Sequence, residues 1–285
     1  LNSSADSYEF ELLGALDHPA GNDENSLVIN FPVNATDFDN DVSNNITLPI
    51  TVIDDVPKIV KVTDTSQQTV DEDDLAAGSD SASSDSTLLI GGFEVVDGAD
   101  SVVSYQVSDL DAVVSGLKSN GQDIEFNLLS SVGGVTSYEA VVSSTSNQIF
   151  TLVLDANNDS YQFELLGPVD HDLAQGENNL VIDIPITVTD FDGDTSPALT
   201  LPITIVDDIP EIISADALSL DEDDLADGSQ FVNKDSLEAS GNFNTVEGAD
   251  TVVSYQLDLT SNPISGVTSA GSVVTIVQIA VSSNN

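Results

Sequence analysis

The chain has 285 residues, with 50 Asp or Glu against 4 Lys or Arg, giving a formal charge of −46. A field of that sign repels nucleic acid and anionic membrane, whose binding rests on Lys/Arg contacts to phosphate. There is no Cys, which excludes disulfides, zinc-thiolate sites and thiol nucleophiles, and no apolar run reaches the 18 residues of a helical membrane span. Self-repulsion on this scale destabilises a compact state unless cations neutralise part of it. A disordered acidic tail would be the plain reading, but 40% hydrophobic residues in alternating runs argue against it. Without Met, Leu1 is not a translation start, and the chain is expected to be a piece of a longer one.

In chain order, Leu27, Ile29 and Phe31 alternate with Val28 and Asn30 and predict a strand, followed by another at Ile46 to Ile53. Further short runs rich in Val, Ile and Thr are Ser101 to Val107, Gln148 to Leu154, Leu180 to Val188, Thr251 to Leu257 and Val273 to Val281. Turns such as Ser119 to Gly121 and Gly133–Gly134 separate them. Pro32, Pro49, Pro185 and Pro202 sit inside such runs and suit edge strands or bulges. A helical turn is expected only in the DEDDLA segments. Many short strands at such spacing predict an all-β sandwich, long enough per copy to need extra strands or long loops.

The chain also repeats itself at about 150 residues. Tyr8 to Pro57 and Tyr161 to Pro210 align without a gap and are identical at 28 of 50 positions. DEDDLAAGS from Asp71 recurs from Asp221 as DEDDLADGS, and VDGADSVVSYQ from Val96 recurs from Val246 as VEGADTVVSYQ. Solenoid periods run only about 20–50 residues, so the repeating unit is a whole domain. The expected division is 1–57 (end of one repeat), 58–210 (a complete one) and 211–285 (start of a third).

Carboxylates are the chemistry on offer. Asp37, Asp39 and Asp41 alternate in one loop, as do Asp190, Asp192 and Asp194 in its copy. Several oxygens on one side of an extended loop suit Ca²⁺, which takes about 6–8 oxygen ligands. The spacing resembles the start of an EF-hand loop, but Leu48 and Leu201 stand where its bidentate Glu belongs, so an EF-hand proper is rejected. A solvated Asp-Gly turn is the plain alternative. Asp54 and Asp55 end a strand before Pro57, and Asp207 and Asp208 do so before Pro210. Pro keeps each joint extended and short. The following domain offers Asp71, Glu72 and Asp73, or Asp221, Glu222 and Asp223, as facing acids. A cation between the two sets would turn repulsion into a clamp; a self-repelling linker is the alternative. His18 and His171 occupy matching positions and read as repeated loop-fixing hydrogen bonds rather than catalytic bases. No GxSxG elbow occurs, and no Gly-rich loop precedes a Lys.

The ordered blocks DEDDL, GADSVVSYQ, LKSNGQ, SYQFELLGPVDH, ENNLVIDIPITVTDFDGDT and LPITIVDDIP resemble the long immunoglobulin-like extender repeat of giant RTX adhesins secreted by the type I pathway. The resemblance covers nearly the whole chain. It implies tandem immunoglobulin-like β-sandwiches in a Ca²⁺-stiffened array on a bacterial cell surface, holding a ligand-binding domain outward for adhesion and biofilm formation. It also implies Ca²⁺ ligation by both DxDxD loops and by the joint acids, with thinner support for the DEDDL acids. The expected partners are Ca²⁺ and neighbouring repeats, head to tail in the same or another chain, with no nucleic acid and no membrane insertion. Two departures stand out: Asn40 replaces Gly193, and about 11 residues are missing after Gly271 relative to Asn120 to Val135. The non-enzymatic alternative is a peptide-, glycan- or ice-binding module inserted among such repeats. A secreted RTX enzyme lacks the residues it would need.

Overall fold

The structure is a computed structural model describing residues 1–20, 24–63, 68–80, 86–173, 176–229, 237–258 and 264–276. It divides into two compact units, Leu1–Asp250 and Thr251–Asn285. In the first, period-2 alternation becomes strands β1 (Ser26–Val33), β2 (Ile46–Ile53), β3 (Lys58–Thr63), β4 (Thr69–Asp71), β5 (Leu88–Val96) and β6 (Val102–Val107). A one-turn helix α1 (Leu110–Val113) leads to β7 (Lys118–Ser119), β8 (Gln122–Val132), β9 (Val135–Val142), β10 (Gln148–Asp155) and β11 (Ser160–Leu165). Then come β12 (Asn179–Asp190), β13 (Leu199–Val206), β14 (Glu211–Ala215) and β15 (Phe243–Val246). The second unit contains β16 (Thr268–Ser269) and β17 (Ser272–Val273).

The fold is a β-sandwich. One sheet has the order β3-β5-β11-β10-β9-β8-β7 and the other β4-β13-β12-β6, so every strand of both comes from 58–206. Alternate side chains of β9, β12 and β13 point into one core. That core is aromatic on one side, where Phe126, Phe150 and Phe163 follow one another with centroids 5.3 and 5.1 Å apart. Ile184, Ile186, Leu201 and Ile203 of the facing sheet are fully buried beneath them. Two core phenols find hydrogen-bond partners: Tyr105 donates to Asp159 Oδ1 at 2.9 Å, and Tyr138 Oη accepts from Val107 N at 2.9 Å. Eleven strands meet the expectation of more than a bare immunoglobulin-like set. No helix among the described residues is long and apolar enough to cross a membrane.

The flanking segments repeat pieces of this sandwich, pairing for pairing. β1 and β2 pair Ser26 with Ile53 and Val33 with Ile46; β12 and β13 pair the matching Asn179 with Val206 and Ile186 with Leu199. β14 and β15 copy β3 and β5 down to the bulge, which falls at Ile59/Lys61 in one and Ile212/Ser214 in the other. The β16–β17 turn puts Ala270 and Gly271 at φ 48° and 80°, matching Asn120 and Gly121 at 49° and 76°.

Three expectations need correction or detail. Thr251–Leu257 is not a strand, because β6, its counterpart, is held by β12 and no described segment offers this run such a neighbour. Of Val273 to Val281 only Val273 lies in a strand, and 277–281 fall outside the described residues. Helix α1 was not foreseen, although Asp109 caps it by accepting from Ala112 N at 3.0 Å. The prolines behave as expected. Pro32 and Pro49 lie in a two-stranded sheet. β12 and β13 are interior strands; β4 covers only Thr204–Val206, so Pro202 keeps one open flank, whereas Pro185 stands just beyond the β6 ladder with its carbonyl accepting from Ser108 N at 2.9 Å, an interior position that its missing N–H tolerates at the end of that ladder.

Candidate metal centres at the domain joints

Asp54 follows β2, Asp100 lies in the GAD turn between β5 and β6, and Asp192 lies in the loop after β12. Their carboxylate oxygens all fall within 4.8 Å of one another. One acid from 1–57 therefore meets two from the sandwich. The loop fold explains how Asp192 arrives there: Asp190 Oδ1 accepts from Gly193 N and Asp194 N at 3.1 and 2.8 Å, and Asp190 N donates to Asp194 O at 3.1 Å. Gly193 takes φ 98° in that turn, and Asn40 takes φ 72° in the copy, so Asn serves where Gly stood. His18 N donates to Asp192 Oδ2 at 3.1 Å, tying 1–57 to the loop. Asp54 Oδ2 accepts from Asn25 Nδ2 at 3.2 Å and Asp54 Oδ1 from Asp55 N at 2.9 Å.

The electrostatics here are unfavourable for bare carboxylates. Burial, then Asp194 and Asp192, pushes the Asp54 carboxyl up; burial, then Asp192 and Asp17, pushes Asp100 up. Burial also pushes Asp190 up to about 6. Asp190 Oδ2 and Asp192 Oδ1 are sealed from solvent with no hydrogen-bond partner. Orphaned, buried oxygens among like charges are the donor set a hard cation takes, so these residues fit Ca²⁺.

The DEDDL acids lie elsewhere than expected. β4 pairs in parallel with β13, setting Asp71 level with Val206, and Glu72 N donates to Val206 O at 3.1 Å. Both strands therefore release their acids at the same end of the sandwich, so Asp71, Glu72 and Asp73 accompany Asp207 and Asp208 rather than Asp54 and Asp55. Burial first, then Asp71, Asp74 and Asp208, raises Asp73 to about 6. Asp73 Oδ1 is buried and unpartnered. Gly78 fixes the turn, since a Cβ there would stand 2.0 Å from Asp73 O.

Asp208 takes a different part from the one expected. Asp208 accepts from Ser79 N at 2.9 Å, Ala249 N at 2.7 Å and the Ser79 hydroxyl, so its oxygens are spent as a latch between the DEDDL turn and the next GAD turn. Asp55 and Asp208 lie against Gly98 and Gly248, whose Cβ positions are 3.5 and 3.0 Å from the carboxylates. The acids that join the clusters are their neighbours Asp54 and Asp207.

The remaining sites are built but open. Asp37, Asp39 and Asp41 lie within 4.8 Å of one another, fully exposed. They repeat the Asp190 turn, with Asp41 N donating to Asp37 Oδ1 at 2.8 Å; that bond, followed by one from Asp39, holds the Asp37 carboxyl low. Asp221, Glu222 and Asp223 keep the DEDDL turn as a 3₁₀ turn, with Asp223 N on Asp221 Oδ1 at 3.1 Å, against 3.2 Å for Asp73 N on Asp71 Oδ1. Glu222 is exposed where Glu72 is fully buried.

Comparison with family models, with curated proteins and with solved structures found no match.

Two residues of the clusters went unrecognised as ligands in the sequence, Asp100 and His171. Asp100 and its counterpart Asp250 sit in the copied GAD block, and Asp250 is pushed up by burial, then by Asp170 and Asp207. Conservation of that block between copies was the available signal. The histidines do fix loops: His18 Nδ1 bonds Asn25 Oδ1 at 3.1 Å and His171 Nδ1 bonds Asn178 Oδ1 at 3.2 Å.

Proposed function

We propose that the chain is a stretch of tandem, Ca²⁺-stiffened extender domains from an extracellular bacterial surface adhesin, with a mechanical rather than enzymatic role. The observation that carries this is the meeting of Asp54, from 1–57, with Asp100 and Asp192 of the sandwich. A cation held there ties consecutive domains together, and without one the three charges push the joint apart. Asp190 and Asp192 offer the sealed oxygens, and Asp54 and Asp100 complete the set from two directions. Further support comes from the recurrence of whole strand pairings at the sequence period, as a tandem array requires.

Extracellular Ca²⁺ modules bind at about 10⁻⁴–10⁻³ M, so such sites fill outside the cell and stay empty in the cytosol. Filling one site at a hundredfold excess over its dissociation constant stabilises the folded chain by about 2.7 kcal/mol, or about 5–10 °C in a domain of this size. Calorimetric melting in millimolar Ca²⁺ and in EDTA tests this. An unchanged melting temperature would count against the proposal.

A further inference from the structure

Glu72, His171 and Asp207 form a cluster unlike the others because one of its donors is nitrogen; their ligand atoms lie within 4.8 Å of one another. Asn178 sets its chemistry. Its Nδ2 donates to Asp207 Oδ2 at 3.2 Å and to the carbonyls of Asp172 and Gly176 at 3.3 and 3.1 Å, so its Oδ1 faces His171 as an acceptor. His171 therefore carries a proton on Nδ1, and its other ring nitrogen, Nε2, is aimed at Glu72. The His171 side chain is 3% exposed and Nε2 has no hydrogen-bond partner. Glu72 is wholly buried: Oε1 accepts from Val169 N at 2.7 Å, and Oε2 has no partner.

Nε2 and Glu72 Oε1 stand 3.6 Å apart. That is too far for a hydrogen bond, and a buried carboxylate facing Nε2 calls for positive charge there: a proton on the ring, which Glu72 favours by raising His171 above its ordinary value against the effect of burial, or a metal ion in that proton's place. Zinc bonds to N and O of about 2.0–2.2 Å at tetrahedral angles place ligand atoms about 3.4 Å apart, close to the spacing found. A histidine whose second ring nitrogen is fixed by an amide is also how proteins orient an imidazole for a metal. Ca²⁺ takes oxygen, whereas imidazole selects borderline divalent ions of the zinc type.

We infer that Glu72, His171 and Asp207 form a binding site for a borderline divalent cation such as Zn²⁺, oriented by Asn178 and separate from the all-oxygen joint site. The site locks the DEDDL turn, through Glu72, to the loop before β12 and to the terminus of β13. Its equivalent beside His18 would need the DEDDL turn of a preceding repeat.

The test titrates Zn²⁺ by calorimetry into the whole chain held in millimolar Ca²⁺, with the thermal midpoint checking that each variant is folded. Wild type takes up zinc. His171→Gln weakens that uptake at least tenfold, and Asn178→Ala weakens it by about 10–100-fold. His18→Gln leaves zinc uptake unchanged, and His171→Gln and Asn178→Ala keep the Ca²⁺ isotherm. Zinc uptake equal in His171→Gln and wild type, or no uptake over the Ca²⁺-filled protein, overturns the assignment. Failure of the Ca²⁺ proposal would look different: zinc uptake intact and the Ca²⁺ isotherm missing.

Discussion

A buried carboxylate recovers its lost hydration from donors or from a cation, and Asp192 has one oxygen of each kind: Oδ2 holds His18 N and Oδ1 holds nothing. The sign of a substitution there should depend on the ion. In millimolar Ca²⁺, Asp192→Asn lowers the melting temperature by several degrees because a ligand is lost. In EDTA it leaves the temperature unchanged or raises it, because one of several crowded charges is gone. Differential scanning calorimetry of the four combinations checks this. The pH dependence should invert in the same way. Asp73 and Asp190 titrate near 6 when ion-free, above the ordinary 3.8, so the folded chain holds their protons more tightly than the unfolded chain. Their contribution to stability is full below about pH 4 and is lost as pH rises through 6. In EDTA the chain should therefore melt higher at pH 5 than at pH 7, and a charge of −46 pushes the same way. In Ca²⁺, protons compete with the ion and the melting temperature should fall on acidification. A melting temperature that moves alike in both buffers would rule out a cation at these acids.

At the scale of elements, each copy of the DEDDL turn rests on one glycine, Gly78 or Gly228, that admits no side chain. Gly78→Ala would press a methyl onto Asp73 O and should cost about 1–3 kcal/mol, whereas Gly14→Ala, with open space around it, should be neutral. Thermal denaturation of both variants measures the difference. Five strands were legible because apolar alternation follows from a half-buried pleated surface: β1, β2, β6, β10 and β12 fall within two residues of the runs that predict them. Thr251–Leu257 has the same alternation without becoming a strand, since a strand exists through its neighbour and no local pattern encodes that neighbour. The acidic sites divide likewise. Alternation of Asp190, Asp192 and Asp194 predicted a cation loop, and the structure brings its acids together with Asp54. What the sequence hid was the parallel pairing of β4 with β13, which carries Asp71, Glu72 and Asp73 to the end of the sandwich where β13 releases Asp207 and Asp208. Proximity along the chain had placed them beside Asp54 and Asp55. Asp100 was hidden too, as a single acid in a turn with no periodic signature.

For the whole molecule, 50 acids on 285 residues make the ion-free state electrostatically costly, and the cost gathers in two places, where 1–57 meets the sandwich and at the DEDDL end. Monovalent salt should therefore raise the melting temperature in EDTA, through screening, by more than it does in Ca²⁺. Melting curves at low and high NaCl in both buffers provide the check; equal gains would mean that Ca²⁺ neutralises nothing of consequence. The most direct measurement for the account as a whole is diffraction from crystals of this chain grown in Ca²⁺, with anomalous differences collected to identify ions. A Ca²⁺ peak bonded at about 2.3–2.6 Å to oxygens of Asp54, Asp100 and Asp192 together is the expected result. A map with water alone among those three carboxylates, in crystals grown at millimolar Ca²⁺, would contradict it.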